Sequence, residues 1–227
     1  MKAIFLDFYG TVVHEDDDIL PVIYKQVQAT AQVECTTDEI GAYWWKAFST
    51  LFYASHGSQF TTQRMLNVQS LAETLLHFKS DLQAESLNQE QLAHWRNPGI
   101  FADSIPFFHS LKIPVYILSN IDTDDVKAAM KAHNIEVAGV ITSEDVRSYK
   151  PRSEMFDEAI NRYGLQRDEV IHIGDSLVSD VQGAQNAGIK AIWLNRKGKL
   201  KPQQITPDYE CKDLGEVVHV HMLEAWI

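Results

Sequence analysis

Hydrophobic residues follow two rhythms along this chain, and the change from one to the other divides it. Short apolar runs of strand length lie at Ile4-Phe5-Leu6, Ile113–Leu118, Val137–Thr142, Glu169–Ile173 and Lys190–Leu194. Such runs read as buried strands, and the helical stretches between them predict a parallel sheet. From about residue 19 to 79 the period is helical instead. Ile19, Val22, Ile23 and Val27 form one stripe; Ile40, Trp44, Ala47, Phe48, Leu51 and Phe52 a second; Met65, Val68, Leu71, Ala72, Leu75 and Leu76 a third. Thr36 and Glu39 have capping-box spacing at the start of the second helix, and Ser55-His56-Gly57-Ser58 reads as the turn that ends it. Successive helices without strands make a small bundle. Trp44, Trp45 and Phe52 read as its core, some of them free to face a substrate across a cleft.

The predicted fold class is therefore α/β, a doubly wound parallel sheet with right-handed crossovers and a small all-helical cap inserted after the first strand. The polar segment Asp81 to Asn97, closed by the turn signal Asn97-Pro98-Gly99, marks the return from the insertion. The expected division is residues 1–14 and 88–227 for a Rossmann-type core and 15–87 for the cap. Thr206 to Ile227 is expected to close the core with a short strand and helix.

Chemistry gathers at the strand ends. Asp7 follows the first apolar run and Gly10 supplies a tight turn, so the carboxylate stands at the carboxyl edge, where open α/β sheets bind ligands. Ser119-Asn120 ends the second run, and Asn120 and Asp122 are equally good caps for the next helix. Lys150 precedes Pro151, which suits the first turn of the helix carrying Met155, Phe156, Ala159 and Ile160. Gly174-Asp175 ends the fourth run, with Asp180 five residues on in the first turns of a helix. The acidic run His14-Glu15-Asp16-Asp17-Asp18 reads as a solvated loop opening the next helix, with His14 exposed.

Composition narrows the partners. With 227 residues, 45% hydrophobic and 22% charged, the chain is long enough for one good core and an accessory domain. A net charge of −11 without a basic block argues against nucleic acid and obliges any anionic substrate to find local compensation at its site. Cys35 and Cys211 have neither disulfide nor zinc spacing and read as reduced, buried thiols. No signal-peptide pattern or stretch of ~18 apolar residues is visible, so the expectation is a cytoplasmic protein with a small-molecule substrate and no membrane partner. Monomer or homodimer stays open.

Asp7-Phe8-Tyr9-Gly10-Thr11-Val12-Val13 resembles the first motif of the haloacid dehalogenase-like superfamily, and Ser119, Lys150-Pro151 and Gly174-Asp175-Ser176-Leu177-Val178-Ser179-Asp180 resemble its second to fourth motifs in order. The inserted bundle resembles that family's type 1 cap, which shields the site and selects the substrate. The resemblance implies a phosphohydrolase in which Asp7 is the nucleophile and Ser119 and Lys150 hold phosphoryl oxygens. Gly10, Thr11 and Asn120 would line the substrate. Mg2+ would be held by Asp7, the Tyr9 carbonyl and Asp175, with Asp180 ordering its water. One position departs: phosphatases of the family carry a second Asp, the general acid and base, where this chain has Tyr9, and the haloacid dehalogenases proper carry Tyr. A metal-free 2-haloacid dehalogenase is thus the runner-up, and a catalytically weakened binding or regulatory protein the third reading. The fourth motif, with Asp175 and Asp180, favours the phosphatase.

Overall fold

The computed structural model describes residues 1–200 and 204–220, so the last part of the expected closing segment, residues 221–227, lies outside the described residues. Among the described residues the strands are β1 (Ala3–Leu6), β2 (Val115–Ser119), β3 (Gly139–Thr142), β4 (Val170–Gly174), β5 (Lys190–Leu194) and β6 (Tyr209–Cys211). They form one sheet in the order β3-β2-β1-β4-β5-β6, every pair parallel. The helices are α1 (Leu20–Thr30), α2 (Thr37–Ala54), α3 (Gln63–His77), α4 (Ala84–Arg96), α5 (Ser104–Ser110), α6 (Thr123–Ala132), α7 (Ser143–Val146), α8 (Glu154–Tyr163), α9 (Gly183–Asn186) and α10 (Leu214–Val217). None is long and apolar enough to cross a membrane.

The continuous apolar runs are explained by burial on both faces. Ile4, Leu6, Ile171, Ile173, Ile192 and Leu194 enter one core with residues of α5, α6 and α10. Their neighbours Ala3, Phe5, Val170, Ala191 and Trp193 enter another with Met155, Phe156 and Ala159 of α8 and Ala184 of α9. Successive strand residues point to opposite faces, so each strand needs apolar residues at every position when both faces are covered.

Helices α1 to α3 surround a separate apolar cluster that includes Ile23, Val27, Ile40, Trp44, Leu71 and Leu75. Thr36 and Glu39 form the predicted capping box, at 3.2 Å and 2.8 Å. The third stripe does not lie where the apolar residues place it: Met65, Ala72 and Leu76 are exposed, while Asn67, Ser70 and Thr74 share the buried face with Leu66, Leu71 and Leu75. These polar groups are buried because they satisfy one another and their neighbours. The Trp44 indole N–H donates to Ser70 Oγ (2.8 Å), Thr74 donates to the Ser70 carbonyl (2.7 Å), and the Asn67 amide donates to Asn88 Oδ1 (2.8 Å) and Gln91 Oε1 (2.6 Å).

The polar segment after the bundle is helix α4, which belongs to both units. Its first half carries Ala84 and Leu87 into the helical cluster, and its second half carries Leu92 and Trp95 into the sheet's core. The expected return at residue 88 therefore falls within this helix. Outgoing and returning chains meet as an antiparallel bridge at Val13 and Ile100, reinforced by the His14 amide on the Gly99 carbonyl (2.7 Å). Asp122 starts α6 but does not cap it with its side chain. Its carboxylate accepts instead from the Gln63 and Arg64 amides at the start of α3 (2.9 and 3.0 Å), and buried Asp125 pairs with Arg64 and Arg96 (2.6 and 2.7 Å). Cap and core are thus tied by charge as well as by α4.

Two smaller expectations are corrected. Pro151 precedes helix α8 rather than opening it: Ser153 is the N-cap, and residues 149–152 form a turn closed by the Arg152 amide on the Tyr149 carbonyl (3.0 Å). Of the cysteines, both free, Cys211 is buried and Cys35 only half-buried.

Candidate active site

Strand β1 lies between β2 and β4, and sequence order runs away from it in both directions, so the carboxyl ends of β1 and β4 flank the topological switch point. The register pairs Leu6 with both Ile117 and Ile173, which brings the residues that follow, Asp7, Ser119 and Asp175, to one edge. The turn after Asp7 is closed by the Gly10 amide on the Val13 carbonyl (2.8 Å) and by the Val12 and Val13 amides on the Phe8 carbonyl (2.8 and 3.0 Å). Gly10 has φ +84°, and a Cβ there would stand 2.6 Å from Asp175 Oδ1, so both backbone and space require glycine. The Gly10 amide is committed within the turn, and Gly10 is not on the wall of the cavity that holds Asp7. Thr11 is likewise not on the cavity wall: it is fully buried, and its carbonyl accepts from Arg196 (2.8 Å).

Lys150 is the centre of the site. It is 1% exposed, and its ammonium donates to Asp7 Oδ1 (2.8 Å), Asp180 Oδ1 (2.6 Å) and the Leu118 carbonyl (2.7 Å), which uses all three N–H groups. Asn120 fixes the loop that delivers it. Its side chain accepts from the Lys150 amide (2.7 Å) and donates to the Lys150 carbonyl (3.1 Å), as a neighbouring strand would. Buried Ser119 accepts from the Ile121 amide through Oγ (3.2 Å) and lines the same cavity.

Three carboxylates converge here: oxygens of Asp7, Asp175 and Asp180 lie within 4.8 Å of one another. Burial pushes Asp7 up to about 7; Lys150 offsets part of this and Asp180 adds to it. Asp175 is raised well above the usual carboxylate range, first by burial and then by the charges of Glu15, Asp7 and Asp180. Asp180 goes the other way. Burial would raise it, but Lys150 and the hydrogen bond from His172 outweigh that and hold it well below the usual range. Burial alone would depress Lys150, yet Asp180 and Asp7 reverse the effect and keep it charged.

A hard divalent cation fits this donor set. Among the described residues Asp7 pairs through Oδ1 with Lys150 alone and Asp175 is in no ion pair, and the turn's hydrogen bonds bypass the Tyr9 carbonyl. Asp180 fits less directly than the sequence implied. Its Oδ1 is taken by Lys150 and by His172 Nε2 (2.9 Å), and its Oδ2 by the Ser176 amide (3.0 Å), so it positions Lys150. His172 is fully buried, and burial lowers it from its ordinary value, so the neutral ring donates to Asp180. Its signal in the sequence was a lone titratable residue inside the run Val170-Ile171-His172-Ile173.

Tyr9 does not present its hydroxyl as a proton donor to the site. The phenol donates to the Trp95 carbonyl (2.6 Å), and burial, reinforced by Asp125, Asp16 and Asp7, raises it beyond any useful range. Trp95 in turn donates its indole N–H to Asp16 (2.7 Å), which also accepts from Gln91 (3.0 Å). The acidic run is thus not simply solvated: Asp16 is held rigidly, raised by burial, and shares with Glu15 the wall of a cavity of about 380 Å³ that also contains Asp7 and Lys150. His14 is half-buried rather than exposed, its ring 4.5 Å from that of Phe101.

A sequence profile of haloacid dehalogenase-like hydrolases matches residues 1–188. The chain is 34% identical over 79 residues to pyrimidine 5'-nucleotidase YjjG of Escherichia coli, a stretch covering 34% of this chain and 35% of that protein. It is 44% identical over 78 residues to a phospholysine phosphohistidine inorganic pyrophosphate phosphatase of Danio rerio, covering 34% and 27%. The chain therefore spans about a third of the length of the curated relatives it matches. Among solved structures, L-2-haloacid dehalogenase of Xanthobacter autotrophicus superposes with a TM-score of 0.76 at 17% identity, covering 98% of both chains. YfnB of Bacillus subtilis, in a structure bound to magnesium, superposes with a TM-score of 0.76 at 19% identity, again over 98% of both. At these identities the superpositions speak for the fold.

Proposed function

The chain belongs to the haloacid dehalogenase-like hydrolases, and we propose that within them it is a Mg2+-dependent phosphohydrolase of a small phosphorylated molecule, working through phosphoryl transfer to Asp7. The observation that carries this reading is the convergence of Asp7, Asp175 and Asp180 with Lys150 as the one Lys or Arg paired with them among the described residues. Three carboxylates, two of them buried, against one positive charge need a further cation to ionise together. Mg2+ held by Asp7, Asp175 and the Tyr9 carbonyl would neutralise phosphoryl charge.

In this reading Asp7 attacks phosphorus, the bond to the leaving group breaks, and water later hydrolyses the aspartyl phosphate to free Asp7 and phosphate. The Ser119 hydroxyl, whose oxygen accepts from the Ile121 amide, keeps its proton to donate to a phosphoryl oxygen, and Lys150, its N–H groups engaged, contributes positive charge beside Asp7. Asn120 and Asp180 hold Lys150 in place. The helical cap closes over the same cavity and selects the substrate.

With Tyr9 locked on Trp95, no side chain at position 9 protonates a leaving oxygen. Help of that kind is worth ~10² to 10⁴ in rate, so aryl or acyl leaving groups, which need little protonation, are expected to react much faster than alkyl ones. Tyr9→Phe is expected to leave aryl phosphate turnover nearly intact while lowering unfolding free energy by ~1–3 kcal/mol, since it strands the buried Trp95 carbonyl. Denaturant unfolding beside steady-state kinetics checks both halves.

Tyr9 also favours the 2-haloacid dehalogenase as a second reading. A haloacid's carboxylate needs a cation, however, and among the described residues lining the cavity Lys150 is the only Lys or Arg, already shared between two carboxylates. The deciding experiment is a panel of phosphate esters with Mg2+ and with EDTA, beside a chloride-release assay on 2-chloropropionate. Cation-dependent phosphate release supports the proposal, and halide release in EDTA overturns it. Asp175→Asn is expected to weaken Mg2+ activation, with activity partly recovered at higher Mg2+.

A further inference from the structure

Phosphoryl chemistry uses only the floor of the cavity. Part of the remaining wall comes from α2, where Trp45, Phe48 and Phe52 follow one another at helical spacing as a ladder of rings. Trp45 and Phe48 lie 6.1 Å apart at 29°, and Phe48 and Phe52 5.6 Å apart at 31°. Trp45 is 65% exposed and the neighbouring Tyr53, on the same wall, 59%. Phe48 and Phe52 are half-buried, Phe48 against the helical cluster and Phe52 4.3 Å from the ring of Tyr149, but the exposure of Trp45 and Tyr53 along the wall of a cavity that ends in a nucleophile is unexplained by packing.

The charge of the cavity supplies the second constraint. Asp7, Glu15, Asp16, Asp175 and Asp180 all line it, against Lys150 alone among the described lining cations, and every N–H of Lys150 is engaged. A bound divalent ion would answer the phosphoryl group and nothing further. A second anionic group on the substrate would meet carboxylates without a partner.

We infer that the part of the substrate beyond the phosphoryl group is a flat aromatic ring without a second negative charge, lying against the Trp45–Phe48–Phe52 ladder. The inference rests on the phosphohydrolase reading and narrows it to a substrate class. Ring faces stack favourably on aromatic side chains and tolerate varied ring edges, so the ladder selects shape while the acidic wall rejects charge.

The test is calorimetric binding of three non-hydrolysable probes in the presence of Mg2+: methylphosphonate, phenylphosphonate and 4-phosphonobenzoate. Phenylphosphonate is expected to bind at least about tenfold more tightly than either of the others. Trp45→Ala and Phe48→Ala, confirmed folded by thermal unfolding, are each expected to erase most of the preference for phenyl over methyl. Equal binding of phenyl and methyl probes, a preference that survives both substitutions, or equal binding of the carboxylated ring overturns the inference. Hydrolysis of phenyl phosphate with Mg2+ is measured separately. Its absence with the ring preference intact would refute the phosphohydrolase reading and leave the aromatic site standing.

Discussion

Asp7→Asn is expected to abolish turnover, by at least about 10⁴-fold in kcat, because the substitution removes the atom that forms the covalent bond. The fold should survive it. Asn is nearly isosteric, and its side-chain oxygen still accepts from Lys150, which keeps Asp180 and the Leu118 carbonyl as further partners. Stability gives the substitution a second signature. The folded protein raises Asp7 to about 7, above the ordinary carboxylate range near ~4. The folded state therefore binds this proton more readily than the unfolded state. The resulting stability is fully present below ~4 and is lost as pH rises through about 7. In cation-free buffer, Asp7→Asn should remove that part of the pH dependence, so its unfolding midpoint at pH 8 should equal or exceed the parent's. Retained activity in a folded Asp7→Asn protein would end the covalent mechanism.

Lys150→Met is expected to have the largest effect on stability. The ammonium is buried with both of its carboxylate partners, and removing one member of a buried ionic cluster costs ~3–5 kcal/mol because the remaining charges are left uncompensated. Chemical denaturation at pH 8 should show the loss, and acidification should return part of it as Asp7 takes up a proton. Activity should vanish with the anion cradle. Lys150→Arg should restore neither, since a planar guanidinium does not reproduce three N–H bonds radiating from one nitrogen. A Lys150→Met protein as stable as the parent would show that Asp7 and Asp180 do not depend on this cation.

What the sequence revealed and what it withheld follow one physical division. Strands buried on both faces are apolar at nearly every position, so β1, β4 and β5 were legible, and a carboxylate at the end of such a run, as at Asp7 and Asp175, stands out against it. The capping box at Thr36 and Glu39 is a local bond between residues three apart and was equally readable. The third helix was misplaced because its buried face is half polar. Asn67, Ser70 and Thr74 are satisfied by Trp44, Asn88 and Gln91 from distant parts of the chain, or by α3's own backbone, and hydropathy does not register such partners. The same holds for Asp122, which caps a helix of the other unit rather than its own, and for Gly10, whose amide is consumed by its turn. Position 9 was legible as a departure, but its consequence was not. Only the fold shows the phenol donating to Trp95, 86 residues away.

The central claim, that Asp7 takes up a phosphoryl group with the help of a divalent cation, is tested most directly by the intact mass of protein quenched in acid during turnover of an aryl phosphate. The proposal predicts an added mass of one phosphoryl group, mapped to the peptide containing Asp7, present with Mg2+ and absent with EDTA or in Asp7→Asn. Phosphate release at full rate with no adduct in acid-quenched wild type, or an ester adduct at Asp7 formed from a 2-haloacid in EDTA, would contradict it.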